Sequence, residues 1–162
     1  MATSTRNPSS TWSSTPAAGA VQPMPAAAGA PLSAAEQQQA YDVAFAALKD
    51  ARYADAITGF RGLLERSPTG ALAPNAQYWL GEAFYVTREY ESAVGTFGAV
   101  SQRWPESAKA PGAMLKLGYS QYELKRYEDA KQTFAQLVAR YPGTEAAKLA
   151  QERMKRVIAE GR

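Results

Sequence analysis

From residue 33 onward the apolar positions recur every three or four residues, the spacing of helices that bury one side. The stretch Pro74-Asn75-Ala76-Gln77-Tyr78-Trp79-Leu80-Gly81-Glu82-Ala83-Phe84-Tyr85 departs from that rule by being apolar on two sides. At about 100° per residue, Tyr78, Glu82 and Tyr85 share one stripe, while Leu80, Gly81 and Phe84 lie roughly opposite. Such a helix is either buried all round or buries one face and offers the other. Its pattern returns 37 residues on, as Pro111, Leu117-Gly118 and Tyr122. The segment that follows it occurs three times in the same register. Tyr53, Tyr90 and Tyr127 are equivalent, as are Ala56, Ala93 and Ala130, then Phe60, Phe97 and Phe134, then Pro68, Pro105 and Pro142. One period through so many columns marks a chain of equivalent structural units.

The punctuation gives the helix limits. Ser33-Ala34-Ala35-Glu36 is a capping box, in which the hydroxyl takes an orphan N–H and Glu36 reaches back, so the first helix runs from there to about Asp50. Tyr53 opens a second helix that ends near Arg66, because Pro68 cannot continue it and biases Ser67 away from helical geometry. Further pairs follow as Leu72–Thr87 with Tyr90–Arg103, stopped by Pro105, and Ala108–Leu124 with Tyr127–Arg140, stopped by Pro142. Thr144 caps a last helix to about Ala159. That helix has Lys155 in the column of Gly81 and Gly118, and Glu152 and Arg153 in place of Tyr78 and Trp79, the polar face expected of a solvating end cap. Gly81 and Gly118 (Ala44 in the first copy) are expected to let the paired helix approach closely, as are Ala56, Ala93 and Ala130. The three phenylalanines are expected to fill the space between adjacent pairs, and Tyr53, Tyr90 and Tyr127 to sit at the hairpin turns. The expectation is an all-α domain over 33–160, with repeats at about 34–70, 71–107 and 108–143 and a capping helix at 144–160.

Residues 1–32 are Ala, Pro, Ser, Thr and Gly with a single charge, Arg6, and are expected to form a disordered linker, Trp12 being the one residue in it able to dock. They lack the basic start and apolar run of a signal peptide. The chain contains no His and no Cys, which excludes a histidine base, a cysteine nucleophile, thiolate or imidazole zinc sites and disulfides. A net charge of +3 with acids and bases mixed along every helix offers no block to neutralise a phosphate backbone, so nucleic acid is not an expected partner. No apolar run approaches the ~20 residues that span a membrane. Acid pairs such as Glu128-Asp129 stand in the first turn of a helix, where they suit the dipole. With no Gly-rich phosphate loop and no metal-ligand cluster, we expect neither catalytic residues, metal nor cofactor, and read the chain as a non-enzyme.

Leu-Gly, a small residue twelve on, an aromatic four later and Pro eight after that resembles the tetratricopeptide repeat, with three extra residues in each connection. The resemblance implies a right-handed α-solenoid of three helix pairs whose first helices line a concave groove. The groove stripe is then Gln38, Tyr41, Phe45 and Leu48, followed by Asn75, Tyr78, Glu82 and Tyr85, and by Leu115, Tyr119 and Tyr122. These positions lie away from the Leu-Gly packing face. An exposed aromatic stripe is an aggregation hazard unless something binds it, and tyrosine is favoured in binding hot spots. A peptide or helix ligand is expected, with the chain's own terminal segments or a second copy as the alternative filling. Repeats of this kind that grip chaperone C-termini use Lys, Asn and Arg on this face to clamp carboxylates, and here Asn75 alone resembles that clamp.

The wording of the repeats is narrower than the fold. Pro74-Asn75-Ala76-Gln77-Tyr78-Trp79-Leu80-Gly81-Glu82, Lys109-Ala110-Pro111-Gly112-Ala113-Met114-Leu115-Lys116-Leu117-Gly118 and Arg140-Tyr141-Pro142-Gly143-Thr144-Glu145-Ala146-Ala147-Lys148-Leu149-Ala150-Gln151-Glu152-Arg153 resemble the C-terminal domain of the Tol-Pal system cell division coordinator family, over about residues 36–160. The resemblance implies a periplasmic scaffold that binds TolA and links outer-membrane constriction to the septal peptidoglycan synthesis machinery. It also implies a signal peptide and a trimerising coiled coil ahead of the linker. Neither stands in this sequence, so the repeat domain is expected to be monomeric or weakly self-associating. The runner-up is an outer-membrane assembly lipoprotein of the BamD type, whose repeats have similar length and Tyr-Pro endings; a general peptide-binding adaptor is the third reading.

Overall fold

The computed structural model describes residues 29–162; the linker expectation and the docking of Trp12 fall, for residues 1–28, outside the described residues. Seven helices follow one another: α1 (Ala34–Lys49), α2 (Tyr53–Arg66), α3 (Ala73–Val86), α4 (Tyr90–Arg103), α5 (Ala110–Glu123), α6 (Tyr127–Arg140) and α7 (Glu145–Ala159). No strand occurs among the described residues. Each helix packs on the next, and α1 also meets α3, and α5 meets α7. The result is an all-α solenoid of three helical hairpins closed by α7.

Local chemistry explains the ends. The Ser33 N–H donates to Glu36 Oε2 at 2.8 Å and the Glu36 N–H to Ser33 Oγ at 3.3 Å, completing the capping box. The Ser33 hydroxyl also donates to Glu36 Oε2 at 2.7 Å, and this bond, with that from the Ser33 N–H, holds the Glu36 carboxyl below its usual range. Thr144 caps α7 by accepting the Ala147 N–H at 3.2 Å. In α5, Pro111 stands in the first turn, where its missing N–H costs nothing, and the helix begins at Ala110 rather than Ala108. Each hairpin turns through a left-handed residue, Ala51, Arg88 or Lys125, with φ of 59°, 63° and 62°. The N–H of the following residue returns to the last turn: Arg52 to Ala47, Glu89 to Phe84 and Arg126 to Gln121, at 2.8–2.9 Å. This is the Schellman closure of a helix, built here on residues other than glycine.

Ala56, Ala93 and Ala130 are fully buried, as are Phe60, Phe97 and Phe134. The phenylalanines sit in cores that also hold residues of the next helix along the chain, with Ala76 and Leu80 in the core of Phe60, Ala113 in that of Phe97 and Ala150 in that of Phe134. They also seal the interior of their own pair. A Cβ on Gly81 would stand 2.6 Å from Phe97 Cε1, and one on Gly118 would likewise strike the Phe134 ring. The two glycines give these rings room. Between pairs the even-numbered helices pack on the next odd-numbered ones, and ties run along the segments ahead of the first helices. Arg66 Nη2 donates to the Ala30 carbonyl at 3.2 Å, Arg103 Nη2 to that of Pro68 at 3.3 Å, and the Tyr141 hydroxyl to that of Pro105 at 2.8 Å.

Candidate partner-binding groove

The odd-numbered helices stand side by side and share one face, formed by the stripe opposite the Leu-Gly packing side. Leu80, Gly81 and Phe84 of α3 are buried, while Tyr78, Glu82 and Tyr85 are half-buried on its other face. Tyr41, Phe45, Leu48, Asn75, Tyr119 and Tyr122 are likewise half-buried, and Gln38 is exposed. One stripe position is displaced from this face. Leu115 is only 6% exposed and belongs to the core, because Ala146, Ala150 and Met154 of α7 gather around it and its neighbours. The capping helix closes that part of the groove, so Leu115 supports the wall rather than meeting a ligand.

The rings form a packed floor. Phe45 stacks on Tyr41 with centroids 5.9 Å apart and meets Trp79 at 5.0 Å, and Trp79 meets the edge of Tyr78 at 5.1 Å. Tyr78 also packs on Phe97, and Tyr119 on Phe134. Tyr85 and Tyr122 lean on the turn tyrosines Tyr90 and Tyr127. The stripe is therefore rigid, each ring offering one side while the other is anchored. Burial raises the phenol pKa values of Tyr41, Tyr78 and Tyr119, and it pushes that of Tyr85, assisted by the Glu123 charge, from 10.0 to about 12. Tyr122 is raised chiefly by its 2.6 Å hydrogen bond to Glu160. All five stay neutral hydrogen-bonding hydroxyls at physiological pH.

Sequence reasoning missed the cations that cover these rings. Lys109 Nζ sits 4.9 Å from the Tyr78 centroid and 4.7 Å from that of Trp79. Lys49 lies over Phe45, Lys116 over Tyr85, and the Arg153 guanidinium over Tyr122 at 4.3 Å. Cation–π attraction of this kind fixes long side chains that solvent would otherwise keep mobile. Glu82 receives Lys116 from the next repeat, with Nζ 3.0 Å and 3.1 Å from its two oxygens. A signal was present: Asp42, Trp79, Lys116 and Arg153 form a column one residue past Tyr41, Tyr78, Leu115 and Glu152, hence on nearly the same face.

Two concavities open along this face. One of about 330 Å³ is lined by Phe45, Leu48, Lys49, Tyr53, Trp79, Glu82 and Val86, with Val86 47% exposed at its mouth. The other, about 150 Å³, lies against Tyr119, Leu149, Glu152, Arg153 and Arg156. The first suits a large apolar side chain; the second is a cationic rim with one acid. Among the described residues no cluster of three metal-ligating side chains occurs, and no helix is long and apolar enough to cross a membrane.

Residues 41–108 match one family profile described as a tetratricopeptide repeat, and residues 112–144 match another of the same description. No curated protein sequence matches. Among solved structures the fold is similar to the first TPR of Spaghetti (RPAP3), there bound to the HSP90 peptide SRMEEVD, at a TM-score of 0.67 and 13% identity over 82% of this chain and 98% of that one. It is similar also to the Arabidopsis OM64 TPR domain, with a TM-score of 0.62, 18% identity and coverage of 74% and 94%. The N-terminal domain of stress-induced protein-1 from C. elegans aligns at 0.61, with 16% identity over 72% and 92%. At such identities the likeness is one of fold. Profile match, period and helix-pair geometry agree, and the chain carries a domain of tetratricopeptide repeats.

Proposed function

We propose that this chain is a non-catalytic scaffold that takes a peptide or helical segment of a partner protein along the shared face of its odd-numbered helices. The observation that carries the reading is the anchored aromatic floor with its 330 Å³ apolar opening. Rigid, half-exposed rings offer contact area without the entropy cost of ordering them on binding. The finer reading is that the partner is TolA and that the protein works in the periplasm, linking Tol-Pal constriction to septal peptidoglycan synthesis. It is supported by the resemblance of Pro74–Glu82, Lys109–Gly118 and Arg140–Arg153 to the coordinator family.

Calorimetric titration with the periplasmic part of TolA tests both levels. Wild type is compared with Tyr85→Ala/Tyr122→Ala and with Val86→Asp, which alters the mouth of the opening at an exposed position. Circular dichroism establishes that each variant keeps its helices. Binding by wild type and its loss in folded variants is the expected result. Binding unchanged in the variants removes the groove and keeps the partner. No binding by wild type removes TolA and turns attention to the assembly-lipoprotein reading.

A further inference from the structure

The two concavities on the shared face occupy equivalent positions of the repeat. Phe45, Trp79 and Glu82 line the larger one, between α1 and α3. Two periods on, these residues become Tyr119, Arg153 and Arg156, which line the smaller one between α5 and α7. The position between them, on α3 and α5, holds Glu82, Lys116 and Tyr119. The three positions differ in chemistry. At the first, Phe45 meets Trp79 and an apolar opening of about 330 Å³ remains. At the second, Lys116 reaches back to Glu82 at 3.0 Å, so the position neutralises itself. At the third, Arg153 stands in the place of Lys116, but Tyr119 stands in the place of Glu82. The guanidinium has a ring where the ammonium had a carboxylate.

This last position therefore lacks its counter-charge. The Arg153 guanidinium lies over Tyr122 at 4.3 Å and Tyr119 at 5.8 Å. Its Nε is buried with no acceptor, hydrogen-bonding capacity that the fold itself leaves unused. Arg156 follows one turn on. Among the described residues neither arginine makes an ion pair, and Glu152 is the one acid lining the same concavity. Two guanidiniums against one carboxylate leave this concavity of about 150 Å³ positive. Stacking holds the Arg153 fork in place before any ligand arrives, the arrangement that suits a planar carboxylate. Helices packed side by side lie about 8–10 Å apart, so two steps separate the apolar and cationic positions by roughly 16–20 Å. An extended chain rises about 3.3 Å per residue and crosses that distance in about six residues.

We propose that the partner segment crosses the odd-numbered helices in extended form, held at two points. A large apolar side chain fills the opening between α1 and α3, and an Asp or Glu carboxylate about six residues away accepts from Arg153 and Arg156. This rests on the reading that the shared face takes a partner segment, and adds the chemistry and spacing by which it selects one. Between the two anchors the segment passes Lys116 and Glu82, whose charges already satisfy each other. Neutral polar residues suit it there.

The test titrates the full chain, ¹⁵N-labelled, with synthetic peptides blocked at both termini, in which a Ser/Asn spacer sets one Phe about six residues from one Glu. Shifts are expected at both the Trp79 indole N–H and the Arg153 Nε–H. Replacing the peptide's Glu by Gln should weaken binding about tenfold and leave the Trp79 shift alone. In the protein, Arg153→Gln, or Arg156→Gln at an exposed position, should abolish the preference for Glu over Gln, whereas Lys109→Gln should keep it. A purely structural role for the arginines would instead weaken both peptides alike, and circular dichroism checks that the helices remain. Equal binding of the Glu and Gln peptides, or equal binding when the two anchors stand only about two residues apart, overturns the proposal; the Trp79 shift then keeps the groove. Absence of shifts at millimolar peptide also overturns it, and the TolA titration decides the groove separately. Tighter binding when the carboxylate is moved to a free C-terminus would give the site to chain ends and overturn the side-chain assignment.

Discussion

Replacing Gly81 by Ala sets two known effects against each other. Alanine in a helix interior gains about 1 kcal/mol of propensity over glycine. Here the new methyl would stand 2.6–2.9 Å from three carbons of the Phe97 ring, where carbon contacts settle at about 3.5–4.0 Å. The ring must recede by about 1 Å, yet it is fully buried and meets Tyr78 at a centroid distance of 5.7 Å. Overpacking of this kind costs about 1–3 kcal/mol, and a ring without free space belongs at the upper end. The net expectation is destabilisation by about 2 kcal/mol, or a fall of about 7 °C in Tm for a domain of this size. Gly95 supplies the control, since it lies in α4 with no atom within 4 Å of an added Cβ. There the same substitution should stabilise by up to about 1 kcal/mol. Urea unfolding followed by helical circular dichroism measures both, with an unchanged m-value as the check on the denatured state. Opposite signs are required. If Gly81→Ala is as stable as wild type while Gly95→Ala behaves as stated, the phenylalanine seal is not what the glycine column serves.

Arg88→Gly and Lys125→Gly should each stabilise by about 0.5–1 kcal/mol in the same assay, since the left-handed strain relieved exceeds the added freedom of the unfolded chain. Lys116→Met should cost about 2 kcal/mol by leaving Glu82, whose side chain is only 16% exposed, without its partner; adding Glu82→Gln should restore most of that, and a double-mutant cycle showing no coupling would refute the pair. Tyr85, raised from 10.0 to about 12, keeps its proton in the folded state at pH values where the unfolded chain loses it. Its contribution is thus complete below pH 10 and declines as pH rises toward 12. Chemical denaturation across that window should show stability falling with pH, and Tyr85→Phe should flatten the slope; an unchanged slope would place the strained phenol elsewhere.

The helix order was legible because each element is punctuated locally: a capping box at Ser33, prolines at 68, 105 and 142, and a threonine cap at 144. What periodicity conveys is that a residue is buried. It does not say which neighbour buries it. Phe60, Phe97 and Phe134 were read as buried between pairs from their spacing, but the seal they also make within each pair depends on the crossing of two helices. The groove divides along the same line. Its tyrosines follow from the stripe on one helix, whereas the withdrawal of Leu115 depends on α7, which packs from more than thirty residues away. Lys109, Lys116 and Arg153 read as ordinary solvated charges because the rings they cover belong to a different repeat.

The ties at Arg66, Arg103 and Tyr141 each join residues 35 or 36 apart, and among the described residues no helix makes a substantial contact beyond the second one along the chain. Every interface is therefore known to its immediate neighbours alone, so overall length is not written into any of them. Duplicating one 37-residue block would add a layer and lengthen the shared face by one step while leaving each existing junction intact. The reach of the surface is thereby separated from its stability, and a partner needing a longer footprint could be met by copying rather than by redesign.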